Sequence, residues 1–200
     1  MPVFAFDEAT HVYTLDGRRL PSVSQIIKPL TFDEYRWIPD DVLAAAADRG
    51  RRVHLATQLL DERDLDETSV EADVAGYLDA YMRFLAETGA EVIELERQLH
   101  HPVLLYAGTL DRVYRIWGKR SLVDIKSTDK LLPAVWPQLM GYDDLRKANG
   151  LGGVDEHACL HLKPDGTYKY VPMKPEHAHH HRGAFHGLRA AHIWKEKFCV

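Results

Sequence analysis

Ala107-Gly108-Thr109-Leu110-Asp111-Arg112-Val113 and Leu122-Val123-Asp124-Ile125-Lys126-Ser127 decide how this chain reads. Both are short and set an acidic and a basic residue among apolar ones. Between them Gly118-Lys119 offers a hairpin turn. The pattern predicts strands over Leu104–Ile116 and Arg120–Lys126, preceded by a third over Val92–Leu99. Side chains alternate faces along a strand, so Asp124 and Lys126 share one side and Ile125 points into the core. In such a hairpin Asp111 and Asp124 lie at similar distances from the turn, and the two carboxylates converge at one end of the sheet. Paired carboxylates suit a hard cation such as Mg²⁺. A lysine beside them suits phosphodiester hydrolysis, where it orients the attacking water or stabilises charge on the phosphoryl oxygens. Taken alone, an Asp-x-Lys triplet is more simply a solvated charge pair. Here it follows Leu122-Val123, precedes Ser127-Thr128 and comes a hairpin's length after Gly-Thr-Leu-Asp.

Outward from these strands the period changes. Upstream, Phe4–Asp7 and His11–Leu15 read as strands with Asp16-Gly17 as a turn. Ser22 caps a short helix through Ile27, which Pro29 ends. A long helix runs from a cap at Asp40 or Asp41 to about Glu62, with Gly50 in its middle. A second covers 69–88, where Val74, Tyr77, Leu78, Tyr81, Phe84 and Leu85 form an apolar face. Downstream, Pro133–Asn149 reads as a helix. His157–Leu162 and Tyr168–Val171 form a hairpin around Pro164-Asp165-Gly166-Thr167, and a last helix runs from about Pro175 to Lys197. The fold class is α/β (α+β), a central mixed β-sheet flanked by helices. The 200 residues fit one domain: N-terminal hairpin and helices over 1–90, sheet and helix over 91–150, and C-terminal hairpin and helix over 156–198.

Composition narrows the classes. An apolar share of 46% and a charged share of 28% are those of a globular protein, and apolar runs such as Val42–Ala47 are too short for a bilayer, so no membrane partner is expected. The N-terminus has no signal-peptide pattern. With the cysteines limited to Cys159 and Cys199, this points to a reducing, cytoplasmic setting, in a bacterial cell or a phage-infected host, and excludes a four-thiolate zinc site or an iron–sulfur cluster. The net charge of −5 argues mildly against nucleic acid, but the acidic excess sits between Asp33 and Glu96. Arg112, Arg115, Lys119, Arg120, Lys126 and Lys130 make the stretch after Asp111 basic, a candidate wall for phosphate.

Two further pieces fit. Gln138 and Tyr142 are i, i+4 on one helix face, although a polar residue and an aromatic at that spacing are ordinary on an amphipathic helix. His54, in Gly50-Arg51-Arg52-Val53-His54, sits mid-helix, where a lone histidine is more often structural than a ligand. His177, His179, His180, His181 and His186 invite a metal reading, with His177 and His181 at chelating spacing; the plainer account is a polar helix face.

With these residues in order, the chain resembles the PD-(D/E)XK nucleases of the RecB-like exonuclease branch, and within it the mitochondrial genome maintenance exonucleases and their small phage and bacterial relatives. The shared motifs are Leu20-Pro21-Ser22-Val23-Ser24, Gly50-x-x-x-His54, Gly108-x-Leu110-Asp111, Asp124-x-Lys126-Ser127 and Gln138-x-x-x-Tyr142, over roughly residues 20–145. Ser127 stands where Thr is commoner. The resemblance implies a restriction-endonuclease-like core and a DNA exonuclease acting on single strands or ends in recombination, repair or replication. A structure-specific or restriction-like endonuclease, or a non-catalytic DNA-binding protein of the same fold, are the alternatives. It implies Mg²⁺ or Mn²⁺ held by His54, Asp111, Asp124 and the carbonyl of Ile125. Lys126 positions the water, and Glu96, Gln138 and Tyr142 support the site. The implied DNA contacts are Ser22, Arg112, Ser127, Thr128, Gln138 and Tyr142, and an implied partner is a single-strand annealing or recombination protein.

Overall fold

Residues 2–199 are described in a computed structural model. The sheet is built outward from the hairpin above. β5 (Ala107–Ile116) and β6 (Lys119–Lys126) pair antiparallel around Trp117-Gly118, both with positive φ, as a two-residue turn of that twist requires. β4 (Glu91–His100) lies antiparallel on the far side of β5. Helix α5 (Val135–Ala148) follows β6 and crosses over to β7 (Glu156–Leu162), which is parallel to β6; β8 (Tyr168–Pro172) returns antiparallel. The order β4-β5-β6-β7-β8 is therefore a mixed sheet.

Alternation along the strands feeds two cores, one on each face. Leu122, Val113 and Cys159 pack with Leu139, Met140 and Leu145 of α5, Phe185 of α6 (Ala178–Phe198) and Val23 of α1 (Val23–Ile27). On the other face Val123, Ile125, Tyr114 and Leu160 pack with Val53 and Ala56 of α3 (Asp40–Glu62) and with Tyr77, Tyr81 and Phe84 of α4 (Ala72–Thr88). The α4 apolar face read from the sequence is thus the face that is buried.

The differences from the sequence reading have local causes. Arg18–Leu20 is a third strand of a small separate sheet, returning through a turn in which Asp16 and Gly17 both have positive φ. Leu104 and Leu105 precede β5, with Leu105 in the left-handed region. The residues beyond Pro29 continue as a 3-10 turn (Lys28–Thr31) and α2 (Phe32–Tyr35). Helix α3 starts at Asp40 after Pro39, so Asp40 and Asp41 are first-turn residues rather than the cap; their charges favour the positive end of the helix dipole. Ser22 does cap α1, in a capping box with Gln25. Among the described residues no helix is long and apolar enough to cross a membrane.

Helices α5 and α6 are joined by a buried charge. The Asp143 carboxylate lies 2.6 Å from Lys147 Nζ, 2.5 Å from Arg182 Nη2 of α6 and 3.6 Å from His157 Nε2. Burial alone raises its pKa, but His157 and Lys147 outweigh that and hold it at about 2. A depressed carboxylate pKa stabilises the fold above the unfolded value near 3.8, and that stability is lost as pH falls toward 2. The difference is worth about 2 kcal/mol. Asp143→Asn is therefore expected to lower stability at pH 7 by about that amount and to flatten the loss between roughly pH 4 and pH 2, read by denaturant unfolding across that range.

Candidate active site

The β5–β6 register brings the two carboxylates together. Arg112 pairs with Val123, so Asp111 and Asp124 are the next residues on their strands. Asp111 Oδ2 accepts a hydrogen bond of 2.7 Å from the Ile125 backbone N–H, which locks one β5 carboxylate onto β6. Asp111 Oδ1 lies 3.8 Å from His54 Nδ1, and Glu96 Oε1 lies 3.9 Å from the same nitrogen. His54, Glu96 and Asp111 each offer a ligand atom, all within 4.8 Å of one another. Among the described residues this is the one group of three or more His, Cys, Asp or Glu so placed. His54 comes from the fourth turn of α3, Glu96 from β4 and Asp111 from β5, so three elements converge. Glu96, read from the sequence as support, stands beside His54 and Asp111 as a possible ligand.

Glu96 has φ of +41° in mid-strand. The β4–β5 pairs on either side are regular, Leu95 with Arg112 and Arg97 with Leu110, and skip it. A left-handed non-glycine residue costs about 1–3 kcal/mol and persists where its surroundings over-determine it.

Asp124 is 1% exposed at its side chain, and Lys126 Nζ sits 2.7 Å from its Oδ2 as an ion pair. Lys126 is the one partner of Oδ2, and Oδ1, equally buried, has none. Burial pushes the Asp124 carboxyl above the ordinary carboxylate range, against the pull of Lys126. Burial works against the Lys126 ammonium, yet Asp124 and Asp111 outweigh it and raise its pKa. Burial also disfavours a charged His54, and Asp111 and then Glu96 outweigh it, raising that pKa too. His54 Nε2 is 3.1 Å from the Ile125 carbonyl oxygen. Donation from Nε2–H to that oxygen leaves the Nδ1 lone pair facing Glu96 and Asp111, the tautomer a metal needs. A cluster of carboxylates that includes an unpartnered buried Asp124 Oδ1, with one imidazole, fits a hard divalent cation.

The remaining expected residues fall into two groups. Gln138 Nε2 donates to Tyr142 OH at 3.2 Å, and both are buried on α5 against the Asp111–Asp124 end of the sheet. Burial, then the Asp111 and Asp124 carboxylates, raises the Tyr142 pKa well above the usual phenol. The glycine of Gly108-x-x-Asp111 explains itself sterically: a Cβ there would stand 2.8 Å from Tyr142 Cε1 and 3.2 Å from Val23 Cγ2. Gly108→Ala is expected to cost about 1–3 kcal/mol by overpacking, read as a lower Tm. Gly50 is different, since a Cβ there would meet Ser127 Oγ at an ordinary 3.8 Å. Ser127 is buried beside α3, whereas Thr128 is exposed and donates from Oγ1 to the Lys130 carbonyl.

Three expectations need correction. Arg112 does not face DNA: its side chain is fully buried and spent on Glu96, Asp61 and the Asp111 carbonyl. Strand alternation turned it inward, away from the solvent side. Ser22 Oγ is buried and accepts the Gln25 N–H at 3.1 Å, so the capping box occupies it rather than a phosphate. The basic stretch is no continuous wall, because Arg115, Lys119 and Arg120 lie at the hairpin-turn end. Seven residues of strand put Lys119 about 23 Å from Lys126, and Arg115 and Lys119 pair with Glu91 and Glu156. Among the described residues the C-terminal histidines bring no third ligand together: His177 and His181 are neighbours at 6.1 Å between ring centroids, and His186 pairs with Asp144 at 3.0 Å. Asp61, which the sequence reading passed over, is the other anchor of Arg112. Its place seven residues after His54 on one helix, two turns along the same face, is the signal that could have found it.

Comparison with protein-family models finds no match, and comparison with curated protein sequences finds none. Among solved structures, an alkaline exonuclease (LHK-Exo) from Laribacter hongkongensis aligns at 16% identity and TM-score 0.38, over 59% of this chain and 66% of that one, just under two thirds of its length. LHK-Exo in complex with dAMP aligns at 14% identity and TM-score 0.42, over 89% and 92%. SSO0001 aligns at 17% identity and TM-score 0.31, over 82% and 84%.

Proposed function

We propose that this chain is a divalent-metal-dependent deoxyribonuclease of the PD-(D/E)XK kind, with a restriction-endonuclease-like core, that acts on DNA ends. The observation that carries the reading is Asp124: a buried carboxylate whose Oδ1 has no partner and whose Oδ2 has only Lys126, 2.7 Å away, one strand from Asp111. A surface charge pair is hydrated, whereas a carboxylate desolvated in this way favours a cation. His54, Glu96, Asp111 and Asp124, with the Ile125 carbonyl beside them, would hold Mg²⁺ or Mn²⁺. The cation supplies Lewis-acid stabilisation of charge on the phosphoryl oxygens.

The chain's own residues do the rest. Lys126, held charged by two carboxylates, is an electrostatic group and not a base: it orients water by donating a hydrogen bond and neutralises developing negative charge. Asp111 keeps its orientation through the Ile125 N–H. Gln138 and Tyr142 close the α5 side and exclude water. Thr128, exposed two residues after Lys126, would meet phosphate, with Lys130 and Lys163 supplying positive charge near the same loop; Lys163 Nζ donates to the Asp129 carbonyl.

The test compares linear DNA labelled at the 5′ or the 3′ end, end-blocked linear DNA and closed circles, single- and double-stranded, with Mn²⁺ or Mg²⁺. Mononucleotide release from free ends, with circles intact, is the expected result. Linearised circles would make the same site that of an endonuclease, and no hydrolysis of any substrate would overturn the proposal.

A further inference from the structure

We infer that Arg112 and Asp61 are positioning residues that hold Glu96 in the candidate metal site, so that α3 sets the cation affinity through a buried ion-pair chain as well as through His54. This rests on the divalent-cation reading of the site.

Arg112 follows Asp111 directly and contacts both sides of the site from beneath. Its Nη1 donates to Glu96 Oε1 at 2.7 Å and to the Asp111 carbonyl at 2.8 Å. Its Nε donates to Asp61 Oδ2 at 2.7 Å, and its Nη2 reaches Thr57 Oγ1 at 3.4 Å. The guanidinium is fully buried and the Asp61 side chain is 3% exposed, so neither charge has water as an alternative partner. Asp61 is in turn fixed by Tyr81 OH of α4, which donates to the same Oδ2 at 2.7 Å and lies 2.6 Å from Tyr114 OH of β5. The chain therefore runs from α4 through Asp61 and Arg112 to Glu96, and every link is an ion pair or a short hydrogen bond.

Glu96 needs such a hold for two reasons. Its backbone is in the left-handed region and outside the regular β4–β5 pairing. Its carboxylate also stands within 4.8 Å of the Asp111 ligand atom, a like-charge contact that favours splaying apart. A planar guanidinium gripping Glu96 and the Asp111 main chain together opposes both tendencies, and a lysine could not supply the same fork. Asp61 balances the guanidinium on its far side and fixes its orientation. Outer partners of metal ligands commonly change affinity by about 10–100-fold when removed.

The experiment uses the full chain and measures Mn²⁺ affinity by calorimetry and the Mn²⁺ concentration for half-maximal hydrolysis. Wild type is compared with Asp61→Asn, Tyr81→Phe, Glu96→Gln and the Asp61→Asn/Glu96→Gln double variant. Asp61→Asn is expected to weaken Mn²⁺ binding about tenfold, with kcat largely recovered at saturating Mn²⁺. Tyr81→Phe shifts the same way by less, and the double variant binds no more weakly than Glu96→Gln alone, because the two act through one contact. A purely structural role would lower Tm and leave the Mn²⁺ dependence in place. Should Asp61→Asn fail to fold, Tyr81→Phe decides. Wild-type Mn²⁺ affinity in the folded variants, with Glu96→Gln weakened, overturns the positioning role alone. Mn²⁺ binding that is absent in wild type, or indifferent to Glu96→Gln, overturns the site reading beneath it.

Discussion

Lys126→Ala is expected to lower kcat for DNA hydrolysis by about 10²–10³-fold, the loss typical of removing one preorganised electrostatic group, while leaving Mn²⁺ affinity intact or tighter. The split follows from the geometry. Lys126 Nζ lies 2.7 Å from Asp124 Oδ2, so in the metal-free protein it neutralises the carboxylate that a cation would otherwise occupy. Removing it frees Asp124 for the cation and deprives the reacting phosphate of its charged neighbour. Because Asp124 and Asp111 keep the ammonium protonated, the role is that of a fixed positive charge. Lys126→Arg, which keeps charge but not shape, is expected to recover only part of the activity. Single-turnover hydrolysis beside calorimetric Mn²⁺ binding checks both halves.

Asp111→Asn is expected to weaken Mn²⁺ binding by at least about a hundredfold, the upper end of what loss of even an outer partner costs, and to abolish activity at ordinary metal concentrations. An Asn oxygen can still accept the Ile125 N–H at the position Asp111 Oδ2 holds, so the β5–β6 end stays closed. What is lost is charge between His54, Glu96 and Asp124. Crowded carboxylates with no cation destabilise a fold, so the Tm of this variant is expected to equal or exceed that of wild type. A fall in Tm with unchanged Mn²⁺ affinity would assign Asp111 to structure.

Much of the fold was legible because strand and helix periods are local. The alternation in Leu122–Lys126 gave the shared side of Asp124 and Lys126, and hairpin counting placed Asp111 opposite. The apolar face of α4 followed from its spacing. Two kinds of information were out of reach. Proximity along the chain is a poor guide to proximity in space along a strand: Arg115, Lys119 and Arg120 looked like a wall beside Asp124 but lie at the other end of their strands. The same alternation that exposes one charge buries the next, and Arg112 became the hold on Glu96 instead of a phosphate contact. The second kind is backbone strain. No local pattern marks Glu96 as left-handed, and the groups that meet its side chain, on β5 and α3, lie far away in sequence. The three-residue strand Arg18–Leu20 was too short for periodicity, although Asp16-Gly17 before it was already a turn signal.

The central claim is that His54, Glu96, Asp111, Asp124 and Lys126 form one cation-dependent hydrolytic site. Release of acid-soluble nucleotides from linear DNA tests it most directly, measured for wild type and Lys126→Ala with Mn²⁺, with Mg²⁺ and with excess chelator. Release by wild type with Mn²⁺ or Mg²⁺, stopped by chelator and reduced at least about a hundredfold in a folded Lys126→Ala protein, is the result this account requires. Hydrolysis that persists in chelator, or at wild-type rate in Lys126→Ala, would contradict it.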